Sequence, residues 1–318
     1  MSVTIDRTPA TVTPTTVAPK NRRKRRGGIP YWLLVPAIAI LVIGTGYPTA
    51  WQLVNSFRDY GLAQQFGKPA PWVGFDNYTS LITDTQFWGV VGRSLIFCAV
   101  TAAVTLAIGL GLALLMAAAS RAARLALQIS LLLAWAMPVV AAMTVWTWLF
   151  DRRRGVINYT LDKLPGVDMY RYDWLAEPLS FFAVASIIVI WMSVPFVAFS
   201  LYAGLTQVSE EVLEAADLDG ASGSQRLRLV ILPIIRPVMS IVLLLQIIWD
   251  LRVFTQIKIL QDAGSNATEF DLLGTYIYKI GTGSQHFGVS AAASVIVLLI
   301  TLAVSGAYVW RVMKEDSQ

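Results

Sequence analysis

The 318 residues are 56% hydrophobic, only 14% charged, and carry 11 Trp at a mean hydropathy of +0.59. A soluble domain of this length holds about a quarter charged residues; here the apolar residues fall in long blocks, which indicates a membrane class. The net charge of +5 comes mainly from Arg22, Arg23, Lys24, Arg25 and Arg26, which read as a topology anchor, with no nucleic-acid partner expected.

Cys98 is the only cysteine, so no internal disulfide is available, and its apolar surroundings suggest packing. One histidine, His286, rules out a His-rich metal site.

Taken in chain order, residues 1–29 lack apolar periodicity and read as a disordered basic cytoplasmic tail. A cleaved signal peptide does not fit, because the apolar stretch 31–54 exceeds a signal core and ends in no Ala-x-Ala site. Six stretches can cross roughly 30 Å of hydrocarbon at about 1.5 Å per residue. They are 31–54, 92–119, 125–150, 179–205, 237–260 and 287–311, leaving 312–318 as a cytoplasmic C-terminal tail. The expected fold is therefore all-α and integral to the membrane. Pro36, Gly44, Gly46 and Pro48, then Pro138, then Pro195 interrupt three spans. Such breaks persist in lipid only where neighbours or a cavity satisfy the freed backbone, as in a bundle around a pathway.

The basic tail sets both termini in the cytoplasm, although Arg152, Arg153 and Arg154 then lie outside, against the positive-inside rule. In that topology the sequons at Asn77, Asn158 and Asn266 fall in outward loops.

The loop 206–236 faces inward and is patterned. Ser209 can cap a helix with Glu210 and Glu211 in its first turn, at the positive dipole end. Val212, Leu213 and Ala216 give it an apolar side. Gly220 allows a sharp turn, and a second short helix is expected to end at Pro233 and Pro237. A hairpin of this kind suits either docking into a groove of a soluble partner or lying at the membrane surface.

Glu214-Ala215-Ala216, three residues, Gly220, nine residues, then Val230 and Leu232-Pro233 resemble the E-A-A…G…I-x-L-P signature of ATP-binding-cassette importer permeases. Asp219, Ala221 and Pro237 extend the match. Tyr31–Ala37 with Tyr47-Pro48, Val73–Tyr78, Pro138 with Trp146, and Ala291–Ser294 resemble the first, MalF-type permease of carbohydrate importers. Departures are Ser209, where the family often has Pro, Ser224 and Leu227, where aromatics are frequent, and Val230 for Ile.

The resemblance implies the type I importer permease fold with six transmembrane helices and a cytoplasmic coupling-helix loop, residing in the bacterial inner membrane. It implies assembly with a second permease, two ATP-binding-cassette ATPase subunits and an extracellular solute-binding lipoprotein. ATP and Mg2+ would sit in the ATPase, none being bound by this chain, which is then a non-catalytic subunit. The region around Gly220 would couple to that ATPase, with Glu214 facing its basic residues. Gly61 and Gly67-Lys68-Pro69 do not form a P-loop, since the spacing is wrong and Pro replaces Ser or Thr.

Asp250 and Arg252 in the fifth span are candidates for the substrate pathway, because charges there are costly; a structural ion pair is the plainer alternative. Trp249, Phe254 and Gln256 lie close in sequence and offer aromatic faces and an amide for a sugar, though aromatics in spans usually pack. Tyr276 and Tyr278 suit the interfacial belt. Other cargoes remain open: a glycerol-phosphate-like solute or a polyol. An ion-driven secondary transporter would leave the patterned loop unexplained, and a membrane enzyme would want a catalytic pair that the spans lack.

Overall fold

The structure, a computed structural model, describes residues 29–166 and 168–315. The tail expected to be disordered lies outside the described residues, apart from Ile29. The described residues fall into two units that divide between Ala50 and Trp51.

Described residues of the first unit are helical. α1 (Ile29–Leu41) passes through a π-helical stretch, Val42–Gly46, into α2 (Tyr47–Asn55). The widened turn has a local cause: Pro48 cannot donate to the preceding turn and its ring crowds that carbonyl. The Tyr47 amide accordingly reaches back five residues to the Val42 carbonyl. Thr45 and Thr49 donate their hydroxyls to Leu41 and Thr45 carbonyls at 2.6 and 2.7 Å, keeping these groups satisfied in an apolar setting.

The second unit is built on α3 (Thr85–Ala118), α4 (Arg121–Ala136), α5 (Val139–Leu149), α6 (Pro178–Leu205), α7 (Glu210–Leu218), α8 (Leu232–Leu251), α9 (Thr255–Ala263) and α10 (Phe287–Glu315). No strand is present among the described residues, only a single bridge between Arg58 and Trp72. Five helices are long and apolar enough to span a membrane, and α4 with α5 makes a sixth, bent by 98°.

Four of the spans differ in their limits from those read in the sequence. α3 starts at Thr85 rather than 92, because Asp84 caps it by accepting from the Gln86 amide at 2.8 Å. The third span, expected unbroken over 125–150, breaks at Met137-Pro138, where Met137 is extended at ψ 127, the conformation a following proline favours. Pro195, by contrast, stays inside α6.

The fifth span differs most. Helix runs without interruption from Gly223 through the π-helical Arg226–Ile231 into α8, so Pro233 and Pro237 do not end the preceding helix but lie in the span itself. The Leu232 amide bonds the Leu227 carbonyl, five residues back, one position before Pro233. Both π stretches thus precede a proline by two residues, and the looser turn makes room for its ring. The span ends at Leu251, and the residues expected to complete it form the separate helix α9. α10 continues beyond 311 to Glu315, into the expected C-terminal tail.

Lipid tails are as apolar as Leu, so burial alone does not pull helices together in a bilayer; close packing of small residues does. Gly109 on α3 shows the device: a Cβ there would lie 2.5 Å from Val197 Cγ1 of α6. Ala113, Ala198, Ala292 and Ala293 are fully buried for the same reason. Phe97, Met143, Phe181, Ile257 and Phe270 join α3, α5, α6 and α9 in one core, and Phe87, Val90, Leu273 and Ala292 join α3 to α10 in another.

The loops are anchored too. Asn77 donates its amide to the Ser56 and Arg58 carbonyls at 2.9 Å each, and Asn158 accepts from Trp174 Nε1 at 2.5 Å. Two of the three sequon asparagines therefore serve as buried fasteners.

Candidate functional site

The elbow between α6 and α8 gathers the signature residues. Ser209 sits at the N-cap of α7 with extended backbone, but its side chain makes no cap bond; Glu210 and Glu211 occupy the first turn as expected. Ala216 is buried and Leu213 half-buried, whereas Val212, expected with them, is 41% exposed.

At its C-terminus α7 closes in a Schellman turn. The Ala221 amide bonds the Ala216 carbonyl at 3.0 Å and the Gly220 amide bonds the Asp217 carbonyl at 3.1 Å. Gly220, at φ +76, is the left-handed residue that this turn requires. Asp219-Gly220-Ala221 is thus a helix stop, and Ala216 inside the E-A-A triplet is its inner anchor.

Ser222 then opens the next helix with a capping box: its hydroxyl accepts from the Gln225 amide at 3.4 Å and Gln225 Oε1 accepts from its amide at 2.8 Å. The sequence reading passed over this pair, although Ser222 and Gln225 have the three-residue spacing that announces it. Arg226 Nη1 bonds both Asp217 oxygens at 2.8 Å, tying the two arms of the elbow. Both partners are exposed, so the pair contributes under about 1 kcal/mol and acts mainly on shape.

Glu211, Glu214, Ala215 and Leu218 share one exposed stripe of α7, and Leu218 is 89% exposed at its end beside Gly220 and Asp219. Leu232 is half-buried and Pro233 exposed at the start of α8.

The five pathway candidates divide. Asp250 is 3% exposed and turned into α3: Thr101 Oγ1 lies 2.8 Å from Oδ2, and Gln246 Nε2 donates to Oδ1 at 2.8 Å. No cation pairs with it among the described residues. Arg252, two residues on, is exposed in the turn that follows α8. Trp249 stacks edge-on against Phe196 of α6 at 4.9 Å, and Gln256 Nε2 lies 3.6 Å from Met192 Sδ, one turn earlier on α6. Phe254 packs on Tyr278 at 5.2 Å. Trp249, Phe254, Gln256 and Tyr278 are half-buried or exposed, and form a discontinuous aromatic and amide strip, of which Trp249 and Gln256 touch α6.

A polar clamp absent from the sequence reading holds the segment before α10. Asp271 is fully buried and takes Lys279 Nζ at 2.8 Å and Gln261 Nε2 at 2.8 Å. Arg93 of α3 donates to the Thr268 and Asp271 carbonyls at 2.8 and 3.3 Å, and Ser94 Oγ accepts from the Leu273 amide at 2.9 Å. Nearby, Tyr276 donates to Asp84 at 3.1 Å; burial, then the Asp84 carboxylate, pushes its phenol up to about 12. An Asp inside the apolar run Phe270–Leu273 was the available signal.

Among the described residues a helical architecture of five apolar spans and a bent pair that makes the sixth, with an exposed, acidic elbow between α6 and α8, defines a polytopic membrane transport subunit. It belongs to the family of binding-protein-dependent transport system inner membrane components, whose profile matches residues 109–312, and is thus a permease subunit of an ATP-binding-cassette importer. The chain is 40% identical over 287 residues to the diacetylchitobiose uptake system permease protein DasB of Streptomyces coelicolor, covering 90% of this chain and 87% of that one. It is 30% identical to the sulfoquinovosyl glycerol transport system permease protein SmoG of Agrobacterium fabrum, covering 89% and 90%. It is 28% identical to the trehalose/maltose transport system permease protein MalF of Thermococcus litoralis, covering 89% and 93%. The fold superposes on a chain of a bacterial alginate ABC transporter, crystallised with an alginate-pentasaccharide-bound periplasmic protein, with a TM-score of 0.76, 22% identity and coverage of 89% and 93%. The type I importer permease fold expected from the sequence is therefore the observed one.

Proposed function

We propose that this permease conducts a sugar or oligosaccharide, released to it by an extracellular binding protein, across the bacterial cytoplasmic membrane. ATP hydrolysis in two partner ATPase subunits, which hold the ATP and Mg2+, drives the cycle. A second permease completes the pathway, and both termini of this chain face the cytoplasm. Cargo of this class is supported by DasB, SmoG and MalF, whose names each specify a glycoside or a disaccharide.

The observation that carries the coupling role is Leu218. A large apolar side chain 89% exposed at a rigid glycine turn, beside Glu214 and Asp219, has no use within this chain. It fits a groove on a soluble partner bordered by basic residues. Glu214, Ala215, Asp219 and Gly220 present the surface, while Ala216, Ala221, Leu232 and Pro233 fix the elbow's angle. When the ATPase pair closes, the elbow and the continuous helix from Gly223 to Leu251 move as one lever. Trp249, Phe254 and Gln256 would then line the pathway, and Asp250 would brace α8 against α3.

The test is to solubilise the tagged full chain and identify the proteins that accompany it. The accompanying binding protein is then titrated with oligosaccharides, polyols and glycerol phosphate. An ATPase together with oligosaccharide binding supports the proposal. A chain recovered alone defeats the coupling role, and tight binding of a polyol only would replace the cargo.

A further inference from the structure

Arg152, Arg153 and Arg154 belong neither to the elbow nor to the aromatic strip, and they violate the charge bias expected of their side of the membrane. They follow directly on α5, whose C-cap Phe150 is buried against Trp174 at 5.5 Å, four residues before α6 begins. The arginines therefore stand at the level where two membrane helices leave the hydrocarbon. They line a hollow of about 530 Å³ together with Arg171, Tyr159 and Tyr170. Arg153 and Arg154 also line a second hollow of about 520 Å³ beside Trp148.

The charges are unevenly committed. Arg152 is occupied, donating to the Arg171 carbonyl at 3.1 Å and lying 3.9 Å from Asp173. Asp162, the acid in the first hollow, accepts from the Met169 amide at 3.2 Å. The Asp151 carboxylate turns to the Arg153 and Arg154 amides, at 2.9 and 2.7 Å. The Arg153 and Arg154 guanidiniums have no ion pair among the described residues. Arg171 holds a left-handed backbone, φ +57, at a cost of about 1–2 kcal/mol, which is the kind of strain found at ligand sites.

Around this cationic centre the surface is amphipathic. Trp148 is 52%, Tyr159 65% and Tyr170 72% exposed, and Val156 and Leu164 are exposed with them. Exposed aromatics and aliphatics interleaved with unpaired arginines at a span end are the chemistry of the headgroup layer. An acidic protein face would call for the charges without the apolar skirt.

We infer that the loop between α5 and α6 is a binding site for the phosphate headgroup of an anionic phospholipid, with Arg153 and Arg154 as its forked donors. The aromatic side chains lie at the glycerol level, and the bound lipid secures the outer ends of α5 and α6.

The test uses the full chain with its co-purifying subunits in nanodiscs of phosphatidylcholine with increasing phosphatidylglycerol, the retained lipids being counted by native mass spectrometry. The wild type should retain phosphatidylglycerol selectively. R153Q/R154Q should weaken that retention by about fivefold per arginine, and R153K/R154K, which keeps the charge and loses the fork, should restore only part of it. Both side chains are exposed, so the fold is kept, and an unchanged thermal midpoint verifies this. Equal phosphatidylglycerol retention in R153Q/R154Q overturns the inference. So does full displacement of the lipid by millimolar inorganic phosphate, which would reveal a site for the free anion. So, too, does a loss confined to stimulation by the binding protein, which would assign the arginines to an acidic protein surface.

Discussion

Thr101 on α3 and Asp250 on α8 meet at 2.8 Å between Oγ1 and Oδ2, a polar contact between two membrane helices joined besides by apolar packing and by the Cys98 thiol, which lies 3.6 Å from the Ile247 carbonyl. Gln246 takes the other carboxyl oxygen, leaving its own Oε1 and the Thr105 hydroxyl buried without partners. Removing the carboxyl strands the Gln246 amide as well. Asp250→Leu should therefore destabilise the chain by about 1–2 kcal/mol, while Asp250→Asn, which can still accept from Gln246 and donate to Thr101, should stay near wild type. Thermal unfolding in detergent reads the difference. A wild-type midpoint for Asp250→Leu with lost transport would instead put this carboxyl in the pathway.

Asp271 is the buried end of an ion pair with Lys279 and the acceptor for Gln261. Asp271→Ala leaves the Lys279 ammonium with the Asn266 carbonyl and the Gln261 amide with the Phe270 carbonyl, but without their shared anion. Breaking a fully buried pair from one side costs about 3–5 kcal/mol, and the partial exposure of Lys279 lowers that to about 2–3 kcal/mol. Expected are a sharply reduced folded yield and, in Lys279→Met/Asp271→Leu, substantial recovery, because replacing both charges removes the stranded partner. Size-exclusion profiles of the tagged variants would show it.

Gly109 should tolerate no side chain. Alanine there would come within 2.9 Å of Val197 Cβ and 3.3 Å of the Ala198 amide nitrogen, backbone and branched atoms that cannot swing aside. Gly109→Ala should cost about 1–3 kcal/mol and Gly111→Ala, with open space at its Cβ, almost nothing. Unfolding midpoints that match for the two variants would show that α3 and α6 are free to slide apart.

The spans and the elbow were legible because each rests on a strong local rule: long apolar runs, and a glycine where φ must be positive. Gly220 could be placed from its neighbours alone. Proline was different, since Pro138 breaks its span by 98° while Pro195 leaves α6 whole. Both prolines sit in apolar runs; Val194 before Pro195 is buried in the bundle and stays helical, whereas Met137 before Pro138 is 39% exposed and extended. The orientation of Asp250 was equally hidden. Neighbouring positions on a helix diverge by roughly 100°, so Trp249 and Asp250 face α6 and α3 respectively. The clamp at Asp271 joins residues 178 positions apart through Arg93, a pairing no local window contains.

The coupling stripe yields a paired prediction. Leu218→Asp leaves the fold intact, since the side chain touches little within the chain, yet it should weaken ATPase docking by at least about tenfold and abolish substrate-stimulated hydrolysis. Gly220→Pro should act on the turn itself, because a ring fixed near −65° cannot adopt φ +76. Reconstitution with the ATPase separates the two, the first variant being stable and uncoupled, the second uncoupled with a lowered midpoint. Full stimulation in Leu218→Asp would remove the elbow from the contact.

Trp249 separates packing from transport on the pathway side. It is 46% exposed, and its one ring partner among the described residues is Phe196 at 4.9 Å. If that open face meets sugar, Trp249→Phe should retain transport and Trp249→Ala should raise the apparent KM. Loss of one aromatic contact, about 1 kcal/mol, corresponds to roughly fivefold. The Phe196 contact predicts a loss of stability of similar size in the same Ala variant, so the two must be measured together. Phe196→Leu supplies the control: it removes the ring contact and leaves the open indole face, and should lower the midpoint with KM unchanged. If KM rises equally in both, the indole serves α6 and not the cargo.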